Sequence, residues 1–304
     1  MKPVILITGA SGFTGEHACR HFQALGMRVF AVSRSPYATL SADIVRSCDV
    51  TDPRSVQQVV TAASPDYVLH LAGMNDVRSS WKDPLACMEV NVTGTLHLLS
   101  SLTSLDRKPR VLIVSSALSF DPADEPPRPS HPYALSKTLQ TLTARAWSHM
   151  FDIPVMAAEP SNLIGPGTST GLCGLLADYI VRWERGSADD PFQVSSLTER
   201  RNYLDVRDAV TAYERILLQG TPGTLYRFGS QELRSIGEVL SSFESALGKP
   251  FPYTNLHASP RDPDPSLPSP VQMAHIGWTP RIPFARSIRD ILQDARARQA
   301  TPSD

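Results

Sequence analysis

Tyr133 and Lys137 have the spacing that places a phenol and an ammonium on the same face of a helix, one turn apart. A carbonyl carbon that receives hydride leaves negative charge on its oxygen, and a proton donor must neutralise that charge. A phenol with the ordinary pKa of about 10 is a weak donor unless nearby positive charge lowers its pKa. We therefore expect Tyr133 to act as a general acid and Lys137 to lower its pKa.

A glycine-rich segment follows the first apolar run of the chain. The run Val4 to Ile7 predicts a buried strand, and the residues after it read Gly-Ala-Ser-Gly-Phe-Thr-Gly from Gly9 to Gly15. The first glycine permits a tight turn, the second lets backbone approach a pyrophosphate, and the third lets a helix pack closely on the strand. An ordinary tight turn is the alternative, but the position between a strand and a helix favours a dinucleotide. The predicted cofactor contacts are Gly9, Ser11, Gly12, Phe13, Thr14 and Gly15.

The end of the second predicted strand favours NADP(H) over NAD(H). NAD sites usually place an acidic residue there to bind the ribose hydroxyls, whereas this chain has Ser33 and Arg34. Arg34 can bind a 2′-phosphate through two hydrogen bonds, although a solvated surface arginine is the alternative. Further predicted cofactor contacts are Asp49 and Val50 near the adenine, Leu71 at the end of the fourth strand, Ala72 and Gly73 after it, and Pro160.

Ser116 lies just past the strand predicted at Val111 to Val114, at the sheet edge where doubly wound folds place their chemistry. We expect its hydroxyl to orient a substrate carbonyl next to Tyr133. Lys137 is expected to bond the nicotinamide ribose, and its charge together with that of an oxidised nicotinamide would lower the pKa of the phenol.

Short β-branched runs alternate with longer amphipathic segments up to about residue 160, which predicts an α/β fold with a Rossmann-type doubly wound parallel sheet. Further strands are predicted at Val29–Val32, Tyr67–Leu71 and Val155–Ala158, and helices at 13–25, 53–63, 85–104 and 133–150. The five prolines from Asp121 to Pro132 predict a loop that leads into Tyr133. We expect an NADP-binding domain over 1–160, to which 203–228 returns, and a smaller C-terminal α/β substrate domain over 161–202 and 229–304.

Composition excludes several classes of function. A net charge of -1 over 304 residues gives no electrostatic reason to bind nucleic acid. No apolar stretch approaches the roughly 18 residues of a membrane span, so no membrane partner is expected. The scattered cysteines indicate a reducing compartment, and we expect a cytoplasmic protein. His17 and His21 share a helix face without a third ligand, so no metal is expected.

Several motifs together resemble the extended short-chain dehydrogenase/reductase family. In its nucleotide-sugar branch the chain is most similar to GDP-4-keto-6-deoxymannose reductases. The matching motifs are His70-Leu71-Ala72-Gly73, Asp83-Pro84, Asn91 with Gly94-Thr95, Pro132 to Lys137, Asn162 with Gly165-Pro166-Gly167, Arg201 with Tyr203 to Asp208, and Gly277-Trp278-Thr279-Pro280.

This resemblance implies NADPH-dependent reduction of the C4 ketone of a nucleotide-diphosphate 4-keto-6-deoxyhexose. By the same resemblance Asn91 supports the active-site helix, and Asn162, Arg201 and Arg261 bind the substrate. For Arg201 a solvated charge cluster with Glu199 is the alternative. By analogy with related reductases, helices 85–104 and 133–150 form the contact of a homodimer.

The chain departs from its relatives at several positions. Dehydratases carry a glutamate two residues after the catalytic hydroxyl, where this chain has Leu118, so a 4,6-dehydratase is not expected. Glu159, Ser161 and Leu163 replace the residue types usual around Asn162. Two other functions stay open, namely a nucleotide-sugar 4-epimerase with tightly bound NAD and a non-catalytic NADP-binding sensor or regulator.

Overall fold

A parallel sheet of seven strands organises the first part of the chain in the computed structural model, which describes residues 2–35, 40–188, 190–257 and 266–300. In chain order the strands are β1 (Val4–Thr8), β2 (Arg28–Ser33), β3 (Ile44–Ser47), β4 (Tyr67–His70), β5 (Arg110–Val114), β6 (Val155–Pro160), β7 (Asn162–Ile164), β8 (Phe192–Ser196), β9 (Arg200–Asp205), β10 (Leu225–Phe228), β11 (Leu233–Ser235) and β12 (Tyr253–His257).

The helices include every one that the sequence predicts. In chain order they are α1 (Phe13–Ala24), α2 (Pro53–Ala63), α3 (Val77–Lys82), α4 (Pro84–Met88), α5 (Gly94–Thr103), α6 (Pro132–Met150), α7 (Leu172–Glu184), α8 (Val206–Gln219), α9 (Ile236–Leu247), α10 (Val271–His275) and α11 (Phe284–Ala300). The helix expected over 85–104 contains a π-helical turn, Glu89–Thr93, between α4 and α5.

The large sheet has the strand order β10-β6-β5-β4-β1-β2-β3, and all its pairings are parallel. Helices connect β1 to β2, β3 to β4, β4 to β5 and β5 to β6. The central strands are apolar on both faces, so that Ile5, Leu6 and Ile7 have no exposed surface. The strand order reverses between β1 and β4, and ligands of open α/β sheets bind at such a reversal. The predicted doubly wound α/β fold is confirmed.

The chain divides into two compact units. The first contains the residues up to Pro160 together with Val210–Phe228 and Val271–Trp278. The second contains Ser161–Ala209, the described residues between Gly229 and Pro270, and those from Thr279 onward. In the second unit a three-stranded sheet has the order β11-β9-β7, and β8 pairs with β12.

The limits of the units differ from the expected ones at two places. Residues 203–209 were expected with the first domain, but they lie in the second unit, where the Tyr203 ring packs on Phe284 and Asp208 accepts backbone N–H groups from 281 and 282. Residues 271–278 lie in the first unit, because the Trp278 indole donates to Thr211 at 2.9 Å and its ring packs against Phe228.

The last described turn of the chain is helical and is held by contacts to the rest of the second unit. Arg185 donates to the carbonyl oxygen of Gln299 at 2.6 Å, and the Gln299 amide donates to the carbonyl oxygen of Asp178. These contacts extend α11 to Ala300. None of the described helices is both long enough and apolar enough to cross a bilayer.

Tyr213 on α8 carries a fully buried hydroxyl for which the described part of the chain provides no hydrogen-bond partner. Burial raises the pKa of this phenol well above its usual value. Its ring packs edge-on against Phe228, so the aromatic ring makes a favourable contact while the hydroxyl oxygen makes no hydrogen bond to a described residue. An unpaired buried hydroxyl destabilises the folded state.

We therefore expect Tyr213→Phe to raise the free energy of unfolding by about 1 kcal/mol, because it removes only the unpaired oxygen. Tyr179→Phe is the matched control. The Tyr179 hydroxyl donates to the carbonyl oxygen of Pro252 at 3.1 Å, and its removal should lower the free energy of unfolding by about 1 kcal/mol. Urea unfolding of both variants measures the difference, and equal destabilisation would show that the Tyr213 hydroxyl has a partner.

Candidate active site

The loop between β1 and α1 has room for glycine alone at two positions. Gly9 has a φ of +67°, and a Cβ there would lie 2.7 Å from the backbone nitrogen of Ala72. A Cβ on Gly15 would lie 2.2 Å from the carbonyl oxygen of Gly9. The first close approach brings the loop against the end of β4, and the second seats α1 on the loop.

The amino terminus of α1 is capped by Gly12, and no side chain provides a capping hydrogen bond. The Gly12 N–H bonds to the carbonyl oxygen of Gly9 at 3.0 Å, which closes the turn. Phe13, Thr14 and Gly15 form the first helical turn, and Ser11 precedes it. A helix start without a side-chain cap presents backbone N–H groups and the positive end of the helix dipole, an arrangement that suits a phosphate.

The residues predicted to discriminate between the cofactors lie at the ends of β2 and β3. Ser33 is buried, and its Oγ has no partner in the described part of the chain. Arg34 is exposed, and its carbonyl oxygen accepts from the Ser47 hydroxyl at 3.0 Å. Arg46, which the sequence analysis missed, lies opposite Val32 in the β2–β3 register. Only the pairing of β3 with β2 reveals that Arg46 belongs to this edge.

Asp49 and Val50 follow β3. Asp49 is exposed, and the backbone N–H and hydroxyl of Thr51 donate to its carboxylate at 2.9 and 2.8 Å, which holds its pKa below the usual value. Val50 is buried against α5, where a Cβ on Gly94 would lie 2.8 Å from the Val50 side chain. Both positions lie at the carboxyl edge of the sheet.

The segment after β4 is held by a short set of hydrogen bonds. The backbone N–H of Leu71 donates to the carbonyl oxygen of Thr8, and the N–H of Ala72 donates to the Thr8 hydroxyl at 3.1 Å. A Cβ on Gly73 would lie 2.8 Å from Oδ1 of Asn91. Pro160, the last residue of β6, is buried and accepts from the N–H of Ala117 at 3.4 Å.

Asn91 lies in the π-helical turn and is fully buried. Its side-chain amide exchanges two hydrogen bonds with the backbone of Met74, at 2.8 and 3.0 Å, and also donates to the Ser136 hydroxyl at 2.8 Å. Asn91 therefore joins the segment after β4 to helix α6.

Ser116, Tyr133 and Lys137 come from β5 and α6 in the first unit. The Ser116 residue follows β5, and its hydroxyl interacts with the Tyr133 phenol and lowers its pKa. Tyr133 is the second residue of α6, because Pro132 begins the helix and His131 caps it by accepting the N–H of Ala134 at 2.9 Å. The His131 ring also stacks on the Tyr133 ring. His131 is a contact that the sequence analysis missed.

Burial raises the pKa of Tyr133, while the hydrogen bond from Ser116 lowers it. This direction is opposite to the expected one, because loss of water around the phenol outweighs the stabilisation of the phenolate. The phenol is consequently protonated at neutral pH, which is the form that a proton donor requires.

Lys137 lies one helical turn after Tyr133 on α6, and only 5% of the residue is exposed. Its Nζ donates to the carbonyl oxygen of Val114 at 3.0 Å and to Oε1 of Gln140 at 2.8 Å. Burial lowers the pKa of Lys137 to about 8. The sequence analysis missed Gln140, although its spacing of three residues from Lys137 places it on the same helix face.

The predicted substrate residues belong to the second unit. Asn162 is exposed on β7 and donates from its side-chain amide to the carbonyl oxygen of Asn202 at 3.1 Å. Arg201 on β9 is half-buried and forms an ion pair with Glu199 at 2.6 Å, so the charge pair considered as its alternative role is present. Arg261 lies outside the described residues.

Within the described ranges, no three histidine, cysteine, aspartate or glutamate side chains come together as a metal site requires. His21 is instead bonded to Glu214 at 2.8 Å, and the His17 ring packs edge-on against Phe13.

Comparisons with known proteins agree with this architecture. The chain is 28% identical to GDP-6-deoxy-D-mannose reductase of Pseudomonas aeruginosa, over 98% of this chain and 99% of that protein. It is 25% identical to UDP-glucose 4-epimerase of Yersinia enterocolitica, over 96% of both.

Solved structures show the same fold. RMD from Pseudomonas aeruginosa, complexed with NADPH, superposes with a TM-score of 0.83 at 26% identity and covers 98% of this chain and 100% of its own. UDP-glucose 4-epimerase of Thermus thermophilus, in complex with NAD, superposes with a TM-score of 0.84 at 23% identity, over 96% of this chain and 99% of its own. At this identity the second likeness concerns the fold alone.

The predicted resemblance to the nucleotide-sugar branch of the extended short-chain dehydrogenase/reductases is thereby confirmed. A family model matches residues 5–229, which include the glycine loop, Ser116, Tyr133 and Lys137. The chain belongs to the NAD dependent epimerase/dehydratase family.

Proposed function

We propose that this protein is an NADPH-dependent reductase that converts the C4 ketone of a nucleotide-diphosphate 4-keto-6-deoxyhexose to an alcohol. The observation that carries the proposal is the buried, protonated phenol of Tyr133, which lies one helical turn before a buried lysine and whose pKa the Ser116 hydroxyl lowers. The end-to-end similarity to a GDP-6-deoxy-D-mannose reductase supports this substrate class.

The residues present fit a dinucleotide. Gly9 and Gly15 let the turn after β1 approach the end of β4 and the start of α1 closely, and the uncapped start of α1 suits a pyrophosphate. The unpartnered Oγ of Ser33 and the exposed guanidinium of Arg34 suit a 2′-phosphate. Asp49 and Val50 would lie near the adenine of the cofactor. The rest of the cofactor would be lined by Leu71, Ala72, Gly73 and Pro160. When bound, NADPH supplies hydride to the carbonyl carbon.

The chain's own residues then have distinct tasks. The Ser116 hydroxyl donates a hydrogen bond to the substrate carbonyl and holds it near Tyr133. The Tyr133 phenol transfers its proton to the carbonyl oxygen as that oxygen gains negative charge, which yields the alcohol and a phenolate. Lys137 stabilises the phenolate and binds the nicotinamide ribose through an N–H that Val114 and Gln140 do not use. Solvent restores the proton to the phenol.

Asn162 and Arg201 are proposed to bind the substrate, and Arg261 is proposed as a further contact. Arg201 already has a carboxylate partner in Glu199, so a diphosphate would have to compete for its guanidinium or share it. Leu118, which is 47% exposed, stands where dehydratases carry an acid. A leucine cannot exchange a proton with a sugar carbon, which supports reduction over dehydration.

We also propose a homodimer. Helix α6 exposes the apolar side chains of Leu139, Leu142 and Met150, and α4 exposes 75% of Leu85. Apolar side chains grouped on neighbouring helices are typical of a surface that another chain covers. The four cysteines are free and buried, which supports a reducing compartment such as the cytoplasm.

The function is tested by mixing the protein with NADPH and a panel of 4-keto nucleotide sugars and following cofactor oxidation. Oxidation that depends on one of these sugars supports a reductase. A protein that is purified with stoichiometric NAD, and that interconverts sugar epimers without net oxidation, would be the 4-epimerase instead. The similarity to a UDP-glucose 4-epimerase makes this the competing function.

Tyr133→Phe should reduce kcat by about 10²- to 10⁴-fold, because it removes the proton donor, and should leave the Kd for NADPH unchanged within about twofold. Tyr226→Phe is the control, since the Tyr226 hydroxyl only accepts the N–H of Thr221 in a turn of the same unit. Stopped-flow turnover and NADPH fluorescence measure the two quantities. Turnover that survives in Tyr133→Phe contradicts the assignment, and a non-catalytic sensor would be indifferent to the change.

Arg34→Gln should weaken NADPH binding by about 10- to 100-fold and leave NADH binding unchanged, because only NADPH carries the 2′-phosphate. Arg28→Gln is the matched control, since Arg28 is an exposed arginine at the opposite end of the same strand. Fluorescence titration with both cofactors measures the ratio of the Kd values. An equal loss for both cofactors would assign Arg34 a purely structural role.

A further inference from the structure

A continuous chain of buried hydrogen bonds runs from Lys137 to the end of β1. Lys137 donates to Oε1 of Gln140 at 2.8 Å, and Nε2 of Gln140 donates to the Thr95 hydroxyl at 2.8 Å. The Thr95 hydroxyl is 3.0 Å from Nε2 of His70, and Nδ1 of His70 is 2.7 Å from the Thr8 hydroxyl. Gln140, Thr95 and His70 have no exposed surface, and Thr8 has 2%.

One arrangement of donors and acceptors makes use of every hydrogen bond in this chain. The single hydroxyl hydrogen of Thr95 goes to the carbonyl oxygen of Asn91 at 2.7 Å, so Thr95 must accept from both Gln140 and His70. His70 is therefore protonated on Nε2, and its bare Nδ1 accepts from the Thr8 hydroxyl. Thr8 in turn accepts the N–H of Ala72 at 3.1 Å.

The same logic fixes the side-chain amide of Gln140. If the amide turned over, its N–H groups would face the ammonium of Lys137, and its oxygen would face a Thr95 hydroxyl that has no hydrogen left to donate. The amide oxygen is therefore held towards Lys137 by a hydrogen bond on its other side. His70 stays neutral in this arrangement, because burial and the neighbouring Lys137 lower its pKa to about 3.

Two of the three N–H groups of the ammonium donate hydrogen bonds, one to the side-chain oxygen of Gln140 and one to the carbonyl oxygen of Val114. On a further side stands Gly73, where a Cβ would lie 3.5 Å from Nζ. The absence of a side chain at Gly73 leaves that side of the ammonium open. The network thus both restrains the rotation of the ammonium and, through Thr8 and Ala72, ties it to the segment that contains Gly73.

Neutral oxygen atoms, rather than a carboxylate, balance this buried charge. The titratable groups that face Lys137 are His70 from β4, Cys87 from α4 and Tyr133 from its own helix. Among the described residues no acidic side chain forms an ion pair with it. Within the described part of the chain, the ammonium therefore has two protein acceptors, and the oxygen of Gln140 is one of them.

We propose that Gln140, held by Thr95 and His70, is a positioning residue for Lys137, which fixes the direction of its ammonium and keeps it protonated. For its catalytic consequence this inference rests on the proposed function, since Lys137 must be charged to stabilise the Tyr133 phenolate. The effect of Gln140 on the direction and pKa of the Lys137 ammonium rests only on the hydrogen-bond network of the protein without substrate.

The test is a direct titration of Lys137 in protein labelled with [ε-¹³C]lysine. The chain has lysines only at 2, 82, 108, 137 and 249, and the resonance of Lys137 is the one that Lys137→Met removes. The wild-type midpoint is expected near the pKa of about 8. Gln140→Met keeps the length of the side chain but loses the acceptor, and should lower the midpoint by about one pH unit. Gln140→Glu places a carboxylate beside the ammonium and should raise the midpoint by about one unit or more.

Thr141→Val is the matched control. Thr141 is buried on the same helix, and its hydroxyl lies 2.7 Å from the Ser115 hydroxyl and 3.0 Å from the backbone carbonyl oxygen of Lys137, but it makes no hydrogen bond to Nζ. Its loss should lower the thermal stability without moving the midpoint. Long-range ¹H–¹⁵N spectra of the His70 ring report the fold of each variant. In the wild type they should show a neutral ring protonated on Nε2 from pH 5 to pH 8.

Opposite shifts in the two Gln140 variants support the inference, whereas unchanged midpoints or shifts of the same sign overturn it. A wild-type His70 that titrates in this range, or that carries its proton on Nδ1, overturns it as well. If Gln140→Met does not fold, the upward shift in Gln140→Glu decides alone. The alkaline limb of the pH dependence of kcat should move with the NMR midpoint. If the midpoint moves and this limb does not, the catalytic role proposed for Lys137 fails while the network stands.

Discussion

The removal of the Lys137 ammonium from water is the constraint on which the arrangement of this site depends. A buried charge is stable only where the protein replaces the hydration shell, and a lysine requires acceptors in several directions. The end of β5 provides one acceptor in the carbonyl oxygen of Val114, and the next turn of α6 provides the other in Gln140. The hydrogen bond to Val114 ties helix α6 to the end of β5. That placement also brings Tyr133 to Ser116.

Close backbone approach is the second organising requirement, and it acts at the same sheet edge. Gly9, Gly15 and Gly73 each occupy a position where a methyl group would collide with a neighbouring atom. These contacts draw the β1 turn, the start of α1 and the segment after β4 together. The start of α1 at this edge has no side-chain cap, and its backbone N–H groups suit phosphate oxygens.

The sequence predicted the parallel sheet because the strands of the first 160 residues are continuous β-branched runs bounded by glycine, proline and polar residues. Tyr133 and Lys137 could be placed on one face from their spacing alone. The pKa direction of Tyr133 could not be predicted, since it depends on how much water the fold excludes from the phenol.

Long-range pairing accounts for the other differences from the sequence-based expectations. Gln140 reads as an ordinary polar helix residue until Thr95 and His70 are known to lie beside it. Residues 271–278 join the first unit through Trp278, whose partner Thr211 is far away in the chain. The ordered turn at Gln299 depends in the same way on Arg185. Local propensity carries no information about such partners.

The division of the chain into two units affects how the protein folds during synthesis and which fragments of it can be made. The polypeptide passes from one unit to the other after residues 160, 209, 228, 270 and 278, so neither unit is a contiguous stretch of sequence. A fragment that ends at Pro160 lacks β10 and leaves β6 as an unpaired sheet margin open to self-association. During synthesis, the contacts of Trp278 with Thr211 and Phe228 can form only after residues 271–278 have left the ribosome. A truncation or gene fusion at any single point between residues 160 and 278 will therefore separate segments that belong to the same unit.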